Sequence, residues 1–243
     1  MATIFITGGS SGIGAGLAKA FAARGDTVII AGRNRARLDA VAGGSMAVEE
    51  LDVADPAAIA ACAARVGAAH PGLDTVINNA GVQRLLDFAA DPPPGPDAVG
   101  EEIGINLTGA INVASAFLPL LRRQRAAQLV NVGSGLGYVP LVAAPIYSAT
   151  KAAMHAFTIA LREQLRATGV QVVEIIPPVV ATALHDGLAR TPPNPMPLDK
   201  FVAAAMKGLD GGGDEIAVGL AGLLRIGARL SPRGFLKIVN KPR

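Results

Sequence analysis

The chain has little of several residue types on which other classes of protein depend. It contains a single cysteine, Cys62, no tryptophan and only 4% aromatic residues in 243 positions. One cysteine can form neither an intramolecular disulfide nor a thiolate metal cluster, so we expect an apolar core to supply the stability and a cytoplasmic location. The three histidines have no spacing suited to a metal site, and we expect no metal.

Strong charge is also missing. Charged residues make up 17% of the chain, and the formal net charge is +3. The few aromatic side chains and the modest positive charge argue against a nucleic acid as partner. No basic region precedes an apolar core at the amino terminus, so we expect no signal peptide.

One uncharged run, Ala126–Thr150, is long enough to span a bilayer. It contains Pro140 and Pro145, which break a continuous helix and would leave backbone groups unsatisfied in lipid. We therefore predict a buried strand followed by a loop.

Short β-branched runs alternate with alanine-rich stretches of helical length along almost the whole chain. This pattern is typical of a parallel sheet covered by helices on both faces. We predict a single α/β domain over residues 1–243, a Rossmann-like, doubly wound parallel sheet of about seven strands in a three-layer αβα arrangement. The predicted strands are Thr3–Thr7, Thr27–Ala31, Ala47–Glu50, Thr75–Asn78, Gln128–Val132, Val170–Ile176 and Glu215–Val218.

The helical pattern fills most of the intervals between these strands. A proline-rich stretch after the sixth strand lies where open α/β sheets place their ligands, so we predict a substrate lid over residues 183–200. The predicted helices are Gly12–Arg24, Arg35–Val41, Pro56–Ala69, Asp97–Leu121, Ile146–Thr168 and Asp199–Leu209.

The first predicted strand runs into a glycine-rich turn, Thr7–Gly14, which opens the first helix. Glycines at such a turn let the backbone approach a pyrophosphate, and the amino terminus of a helix favours an anion. The turn predicts a dinucleotide site.

The second predicted strand ends in Arg33, at the place where an NAD-binding protein offers Asp or Glu to the ribose 2′-hydroxyl. An arginine can pair with a 2′-phosphate instead, which favours NADP over NAD. For Arg35 and Arg37 we favour a solvated start of the following helix over a contact with the cofactor.

Tyr147 and Lys151 lie four residues apart at the start of a predicted helix, which brings their side chains onto one face. A nearby ammonium favours the ionised form of a phenol, so we expect Lys151 to lower the pKa of Tyr147 and make it a usable proton donor and acceptor.

Together, five motifs in order make the chain similar to the short-chain dehydrogenase/reductase family from Thr3 to about Thr182. They are the Thr7–Gly14 turn, Asn78-Asn79-Ala80-Gly81, Asn106 in Ile105–Gly109, Ser134 thirteen residues before Tyr147, and Lys151. The resemblance implies NADP(H)-dependent hydride transfer between the nicotinamide C4 and a carbonyl or secondary alcohol carbon, with a 3-oxoacyl thioester on a carrier as the alternative substrate. A protein that binds NADP without chemistry is the rival, which the loss of a catalytic residue would favour.

The resemblance also implies residue roles. Ser134 would bind the carbonyl oxygen, Tyr147 would donate its proton, Lys151 would hold the nicotinamide ribose, and Asn106 would hold a relay water. Pro178 replaces a family glycine and Gly133 stands where many members have a second serine. The family forms dimers or tetramers, here through the two long helices. The implied cofactor-binding residues are Gly8, Ser10, Ser11, Gly12, Ile13, Gly14, Arg33, Asp52, Val53, Asn79, Ala80, Gly81, Tyr147, Lys151, Pro177, Val180 and Thr182.

The carboxyl-terminal segment, residues 223–243, is a basic amphipathic extension. Arginine or lysine recurs every four residues from Arg225 to Lys241 among apolar residues, and Ser231-Pro232 suits a helix start, so we predict two short helices. We favour an apolar face that packs on the body or on a partner subunit. The alternative is docking to an anionic membrane or an acidic acyl carrier.

Overall fold

The computed structural model describes residues 1–185 and 194–241. Its seven strands form one parallel sheet in the order β3-β2-β1-β4-β5-β6-β7. The chain order reverses between β1 and β4, so the carboxyl ends of these two strands border the crevice in which doubly wound sheets bind ligands. The strands are β1 Thr3–Thr7, β2 Thr27–Gly32, β3 Ala47–Glu50, β4 Thr75–Asn78, β5 Ala127–Val132, β6 Val170–Ile176 and β7 Glu215–Ala217.

Helices cover both faces of the sheet, which confirms the predicted three-layer arrangement. On one face Phe5 of β1 packs with Phe117 of α5. On the other face Ile4 and Ile6 pack with Leu17 of α1 and Phe201 of α7, because successive strand residues point to opposite sides. The helices are α1 Gly12–Ala23, α2 Arg35–Ala42, α3 Pro56–Ala69, α4 Pro96–Ile103, α5 Ala110–Leu121, α6 Pro145–Leu165, α7 Leu198–Asp210, α8 Leu220–Leu230 and α9 Pro232–Val239.

The predicted helix Asp97–Leu121 is not a continuous α-helix. A π-helical turn, Gly104–Gly109, separates α4 from α5. At Gly109 a β-carbon would overlap the carbonyl oxygen of Val53, so the helix passes the loop after β3 at backbone distance. Such π-turns occur often at functional sites.

Among the described residues, the helical run Pro96–Leu121 is long and apolar enough to cross a membrane by length and composition. This is weak evidence, because the core helix of a soluble protein passes the same test. The run Ala126–Thr150 contains β5 and a loop before α6, as predicted.

The predicted lid, 183–200, lies partly outside the described residues, which omit 186–193. Its described end is fixed to the loop after β6. Met196 donates its backbone N–H to the carbonyl of Val179 at 2.8 Å, and Ala181 donates to the carbonyl of Met196 at 2.9 Å. The lid function remains a prediction.

Candidate active site

The turn between β1 and α1 depends on glycine at two positions in the left-handed region. Gly8 and Gly12 have φ angles of 67° and 53°, which glycine adopts at little cost. The N-cap residue of α1, Ser11, makes no side-chain capping bond, and the first turn of α1 holds no acidic residue. The first N–H groups of α1 therefore remain free to bind an anion.

Gly14 lets the first turn of α1 pack closely against Gly8 and Asn79. A β-carbon on Gly14 would overlap both the carbonyl oxygen of Gly8 and the side-chain amide of Asn79. Gly14 does not line the cavity above the turn. The expected cofactor contact at Gly14 is therefore corrected to a packing role.

Hydrogen bonds join the carboxyl ends of β1 and β4. The Thr7 hydroxyl accepts from the backbone N–H groups of Asn79 and Ala80, at 3.0 and 3.1 Å. The Asn79 side chain donates to the carbonyl of Thr7 at 2.9 Å. The glycine turn and the Asn79–Gly81 loop are thus held at the same edge of the crevice.

A cavity of about 610 Å³ lies over this edge of the sheet. Sixteen of the seventeen expected cofactor-binding residues line it, all except Gly14, and Ser134 does so as well. Those sixteen are Gly8, Ser10, Ser11, Gly12, Ile13, Arg33, Asp52, Val53, Asn79, Ala80, Gly81, Tyr147, Lys151, Pro177, Val180 and Thr182.

Two of the three arginines after β2 face the cavity. Arg33 and Arg37 are exposed and line its rim. Arg35 instead pairs with Asp39, one turn along α2, at 2.9 Å. The sequence pattern treated Arg35 and Arg37 alike, and the structure separates them because α2 directs their side chains differently.

Ser134, Tyr147 and Lys151 lie on one wall of the cavity. Ser134 follows β5, and its hydroxyl accepts from the backbone N–H of Leu136 at 3.1 Å. Tyr147 and Lys151 are buried in the first turns of α6. The Lys151 ammonium donates to the carbonyl of Val132 at 2.8 Å and lies 5.7 Å from the centre of the Tyr147 ring.

Burial dominates the titration of this pair. It raises the pKa of Tyr147 to about 12; Ser134 acts in the opposite direction, and Glu102 adds to the rise. Burial also lowers the pKa of Lys151 to about 8, against the effect of Glu174. The expected lowering of the Tyr147 pKa by Lys151 is therefore not found in the protein alone: burial dominates, and the group that opposes it is Ser134.

The Lys151 value predicts a pH dependence of stability. Between about pH 8 and the ordinary lysine pKa of 10.5, the unfolded chain keeps a proton that the folded chain has released, so the free energy of unfolding rises with pH. Lys151→Met should remove this rise, about 3 kcal/mol in total. Urea unfolding of both proteins across this interval measures it, and equal slopes would contradict the expectation.

Asn106 lies in the π-helical turn and is buried. Its side chain exchanges two hydrogen bonds of 2.8 Å with the backbone of Val82 and donates to the Thr150 hydroxyl at 3.3 Å. The side chain does not line the cavity. It anchors the loop after β4 to α6, near Tyr147 and Lys151.

The sequence analysis missed a buried cluster behind Lys151. Glu174 of β6 is buried, and one of its carboxylate oxygens lies 2.6 Å from Nδ1 of His155 on α6. The Tyr138 hydroxyl lies 3.1 Å from the same nitrogen. Burial raises the pKa of Glu174, and His155 opposes the rise.

This cluster also bears on the expectation of no metal. Ligand atoms of His155, Glu174 and Glu215 lie within 4.8 Å of one another, a grouping that sequence spacing did not reveal. Two cations already face it, since Arg225 and Arg162 pair with Glu215. The acidic charge of this cluster is therefore balanced by side chains of the chain itself.

Gly133 and Pro178 are the two departures from the family pattern. A β-carbon on Gly133 would overlap a carboxylate oxygen of Glu174, so a serine there would require the glutamate side chain to shift. After Pro178 the backbone runs on to Val180, which pairs with Met196, and Thr182 lies against Gly12. The loop reaches the cavity despite the missing glycine.

Comparison with known proteins agrees with this geometry. Residues 2–192 match the family model described as short chain dehydrogenase. An uncharacterized oxidoreductase of Bacillus subtilis, DltE, is 40% identical over 188 residues, covering 75% of this chain and 73% of that protein. An uncharacterized oxidoreductase of Staphylococcus aureus is 34% identical over 186 residues, covering 74% and 78%.

Two solved structures share the fold over nearly their whole length. A short chain dehydrogenase from Burkholderia cenocepacia in complex with NADP has a TM-score of 0.87 at 27% identity and covers 99% of this chain and 98% of its own. A short-chain dehydrogenase from Sphingobium yanoikuyae in complex with NADPH has a TM-score of 0.85 at 28% identity, covering 100% and 96%. The chain belongs to the short-chain dehydrogenase family, and it is an oxidoreductase of that family.

Proposed function

We propose that the protein is an NADP(H)-dependent oxidoreductase that interconverts a carbonyl compound and the corresponding secondary alcohol. The observation that carries this proposal is that Ser134, Tyr147 and Lys151 line the same cavity as the glycine turn and Arg33. When bound, the cofactor supplies or accepts the hydride. Two solved relatives are complexes with NADP and with NADPH, which supports this choice of cofactor.

The residues present fit a nucleotide with a 2′-phosphate. The free N–H groups at the start of α1 suit the pyrophosphate, and Gly8 and Gly12 permit the left-handed backbone of the turn that leads to them. Arg33 and Arg37 at the rim suit the additional phosphate. Asp52 and Val53 line the end of the cavity where the resemblance implies the adenine.

The chain's own groups divide the chemistry at the carbonyl oxygen. Ser134 donates a hydrogen bond where negative charge develops, and Tyr147 donates the proton. Burial keeps Tyr147 protonated over the physiological pH range, so the donor is ready before substrate binds. Lys151 supplies the nearby positive charge, and Asn106 fixes the loop that closes this wall.

The substrate class is tested by NADPH oxidation with a panel of ketones, aldehydes and 3-oxoacyl thioesters. We expect turnover with simple carbonyl compounds. Turnover restricted to the thioesters would favour the alternative, an acyl-carrier reductase. Tight NADPH binding with no turnover on any member of the panel would contradict the proposal and favour a nucleotide sensor.

Self-association through α4, α5 and α6 remains a proposal. The exposed large apolar side chains on these helices are Ile103 and Ile159 among the described residues.

A further inference from the structure

The two carboxyl-terminal helices, α8 and α9, present apolar side chains to solvent. Leu230 is 80% exposed and Leu220 is 69% exposed. Monomeric soluble proteins rarely leave large contiguous apolar patches uncovered. Half of the twelve exposed large apolar side chains among the described residues lie on these helices and form what we call the tail surface: Leu220, Leu223, Ile226, Leu230, Leu236 and Ile238.

Other residues of α8 and α9 fix the two helices in a position that leaves the tail surface facing solvent. A β-carbon on Gly227 of α8 would overlap the ring of Phe235, so α9 packs closely on α8. Asn240 donates to the carbonyl of Pro140 at 3.0 Å and accepts from the N–H of Val142 at 2.6 Å. Leu224 and Phe235 pack inward, against Gly135 and Gly227, whereas the six side chains of the tail surface do not pack on the body. Packing of these six on a partner subunit stays a prediction.

Charge is segregated in the same segment. Residues 220–243 hold six of the 22 lysines and arginines and none of the 19 acidic residues, so the rest of the chain has 16 basic against 19 acidic residues. Arg225 pairs with Glu215, while Arg229, Arg233 and Lys237 are exposed. At helical spacing Arg229 lies one turn after Ile226, and Arg233 lies one turn before Leu236, so these cations flank the exposed apolar side chains.

We propose that the tail surface docks on an anionic lipid bilayer. Exposed apolar side chains flanked by arginine and lysine are typical of helices that lie in a membrane interface. Two copies joined by this surface would bring their unpaired cations together. An acidic carrier would match the cations but leave the apolar side chains in water.

The location of α8 gives docking a consequence for access to the cavity. Leu224 lines the cavity, and a β-carbon on Gly135 would lie 2.9 Å from Leu224 Cδ1. The tail surface therefore adjoins the cavity mouth. If the proposed reductase function holds, a carbonyl compound dissolved in lipid can enter directly.

Vesicle co-sedimentation tests the docking without measuring activity. The probes are vesicles of phosphatidylcholine alone and of phosphatidylcholine with phosphatidylglycerol, at low and at physiological salt. We expect binding to the anionic vesicles, weakened by salt. The triple variant R229Q/R233Q/K237Q should bind about a hundredfold more weakly, at ~1 kcal/mol per charge.

Two further variants complete the test. R122Q/R123Q/R125Q removes three exposed charges between α5 and β5, at the amino-terminal ends of the strands, and should bind as the unmodified protein does. L223Q/I226Q should also lose binding while thermal melting shows a folded protein. The proposal is overturned if the unmodified protein ignores anionic vesicles at low salt. It is also overturned if L223Q/I226Q instead dissociates a dimer in sedimentation, or if only an acidic acyl carrier binds.

A second observation, independent of the tail, concerns Glu174. Its side chain is 1% exposed, and its Oε1 has no hydrogen-bond partner. This oxygen fills the space in which a side chain on Gly133 would lie. A buried carboxylate oxygen without a partner is costly.

We infer that Glu174 is a positioning residue: its carboxylate lies against Gly133, next to the Val132 carbonyl that binds the Lys151 ammonium, and its negative charge keeps that ammonium cationic. Lys151 bonds to the carbonyl of Val132, the residue before Gly133. Glu174 is the charged group that opposes the effect of burial on the Lys151 pKa. The other groups facing Glu174 are His155 and Arg162 of α6, Glu215 of β7, and Tyr138 through its contact with His155.

Glu174→Gln keeps the shape and removes the charge. We expect the rise in unfolding free energy assigned to Lys151 to begin at a lower pH than in the unmodified protein. The loss of activity as the pH increases should likewise begin at a lower pH. The unfolding measurement needs no substrate, so it separates this inference from the proposed function. The control Glu163→Gln removes an exposed charge from α6, the helix that carries Lys151, and should change neither profile.

The steric part is tested by a mutant cycle. Gly133→Ala should lower Tm by several degrees, because the new methyl group meets the carboxylate. In the Glu174→Ala background the same change should cost much less. Additive losses, or pH profiles of Glu174→Gln that coincide with those of the unmodified protein, would overturn the inference.

Discussion

Tyr147→Phe should abolish turnover while leaving NADPH binding nearly unchanged. The change removes one hydroxyl from a buried ring on the cavity wall and leaves the ring itself in place. Loss of a positioned proton donor costs about 10²- to 10⁴-fold in rate. The measurement is kcat for carbonyl reduction at saturating NADPH, together with cofactor affinity by fluorescence.

The chain has one other tyrosine, which provides a matched control. Tyr138 contacts His155 and does not line the cavity. Tyr138→Phe should therefore reduce the rate far less than Tyr147→Phe. If Tyr147→Phe retains a substantial fraction of kcat with a good substrate, the assignment of the proton donor is wrong.

The second large effect is expected at Arg33. Arg33→Ala should weaken NADPH binding by about 1.5 to 3 kcal/mol, the contribution of a charged hydrogen bond, and should leave NADH binding almost unchanged. The reason is that Arg33 lies at the cavity rim where the 2′-phosphate distinguishes the two cofactors. Titration of each protein with both cofactors measures the difference.

Arg35→Ala is the control, because Arg35 lies two residues away but pairs with Asp39 instead of lining the cavity. It should leave the preference for NADPH intact. Equal affinity of the unmodified protein for NADPH and NADH would contradict the account of Arg33.

The sheet could be predicted closely from the sequence. Each of the seven strands lies within one residue of its prediction, since short β-branched runs bounded by turn residues leave little freedom of placement. The π-helical turn at Gly104–Gly109 could not be predicted in this way. It depends on the contact between Gly109 and Val53, which are distant in the chain.

The candidate site was likewise predictable only where its residues are close together in the sequence. Motifs that are continuous in sequence, such as the glycine turn and the Tyr147–Lys151 pair, led to residues on one cavity. The Glu174–His155 pair joins β6 to α6 and has no local spacing signal. Spacing also could not show that burial would dominate the Tyr147 pKa, because the degree of burial is a property of the folded core.

The central claim is hydride transfer between NADPH and a carbonyl carbon, and isotope transfer tests it most directly. NADPH carrying two deuterium atoms at the nicotinamide C4, so that transfer from either face carries the label, is incubated with the best carbonyl substrate of the panel, and the product is examined by mass spectrometry and NMR. We predict that one deuterium appears on the carbinol carbon, in a single configuration, for each NADPH consumed. An alcohol without deuterium, or NADPH that stays bound and unoxidised with every substrate, would contradict the account.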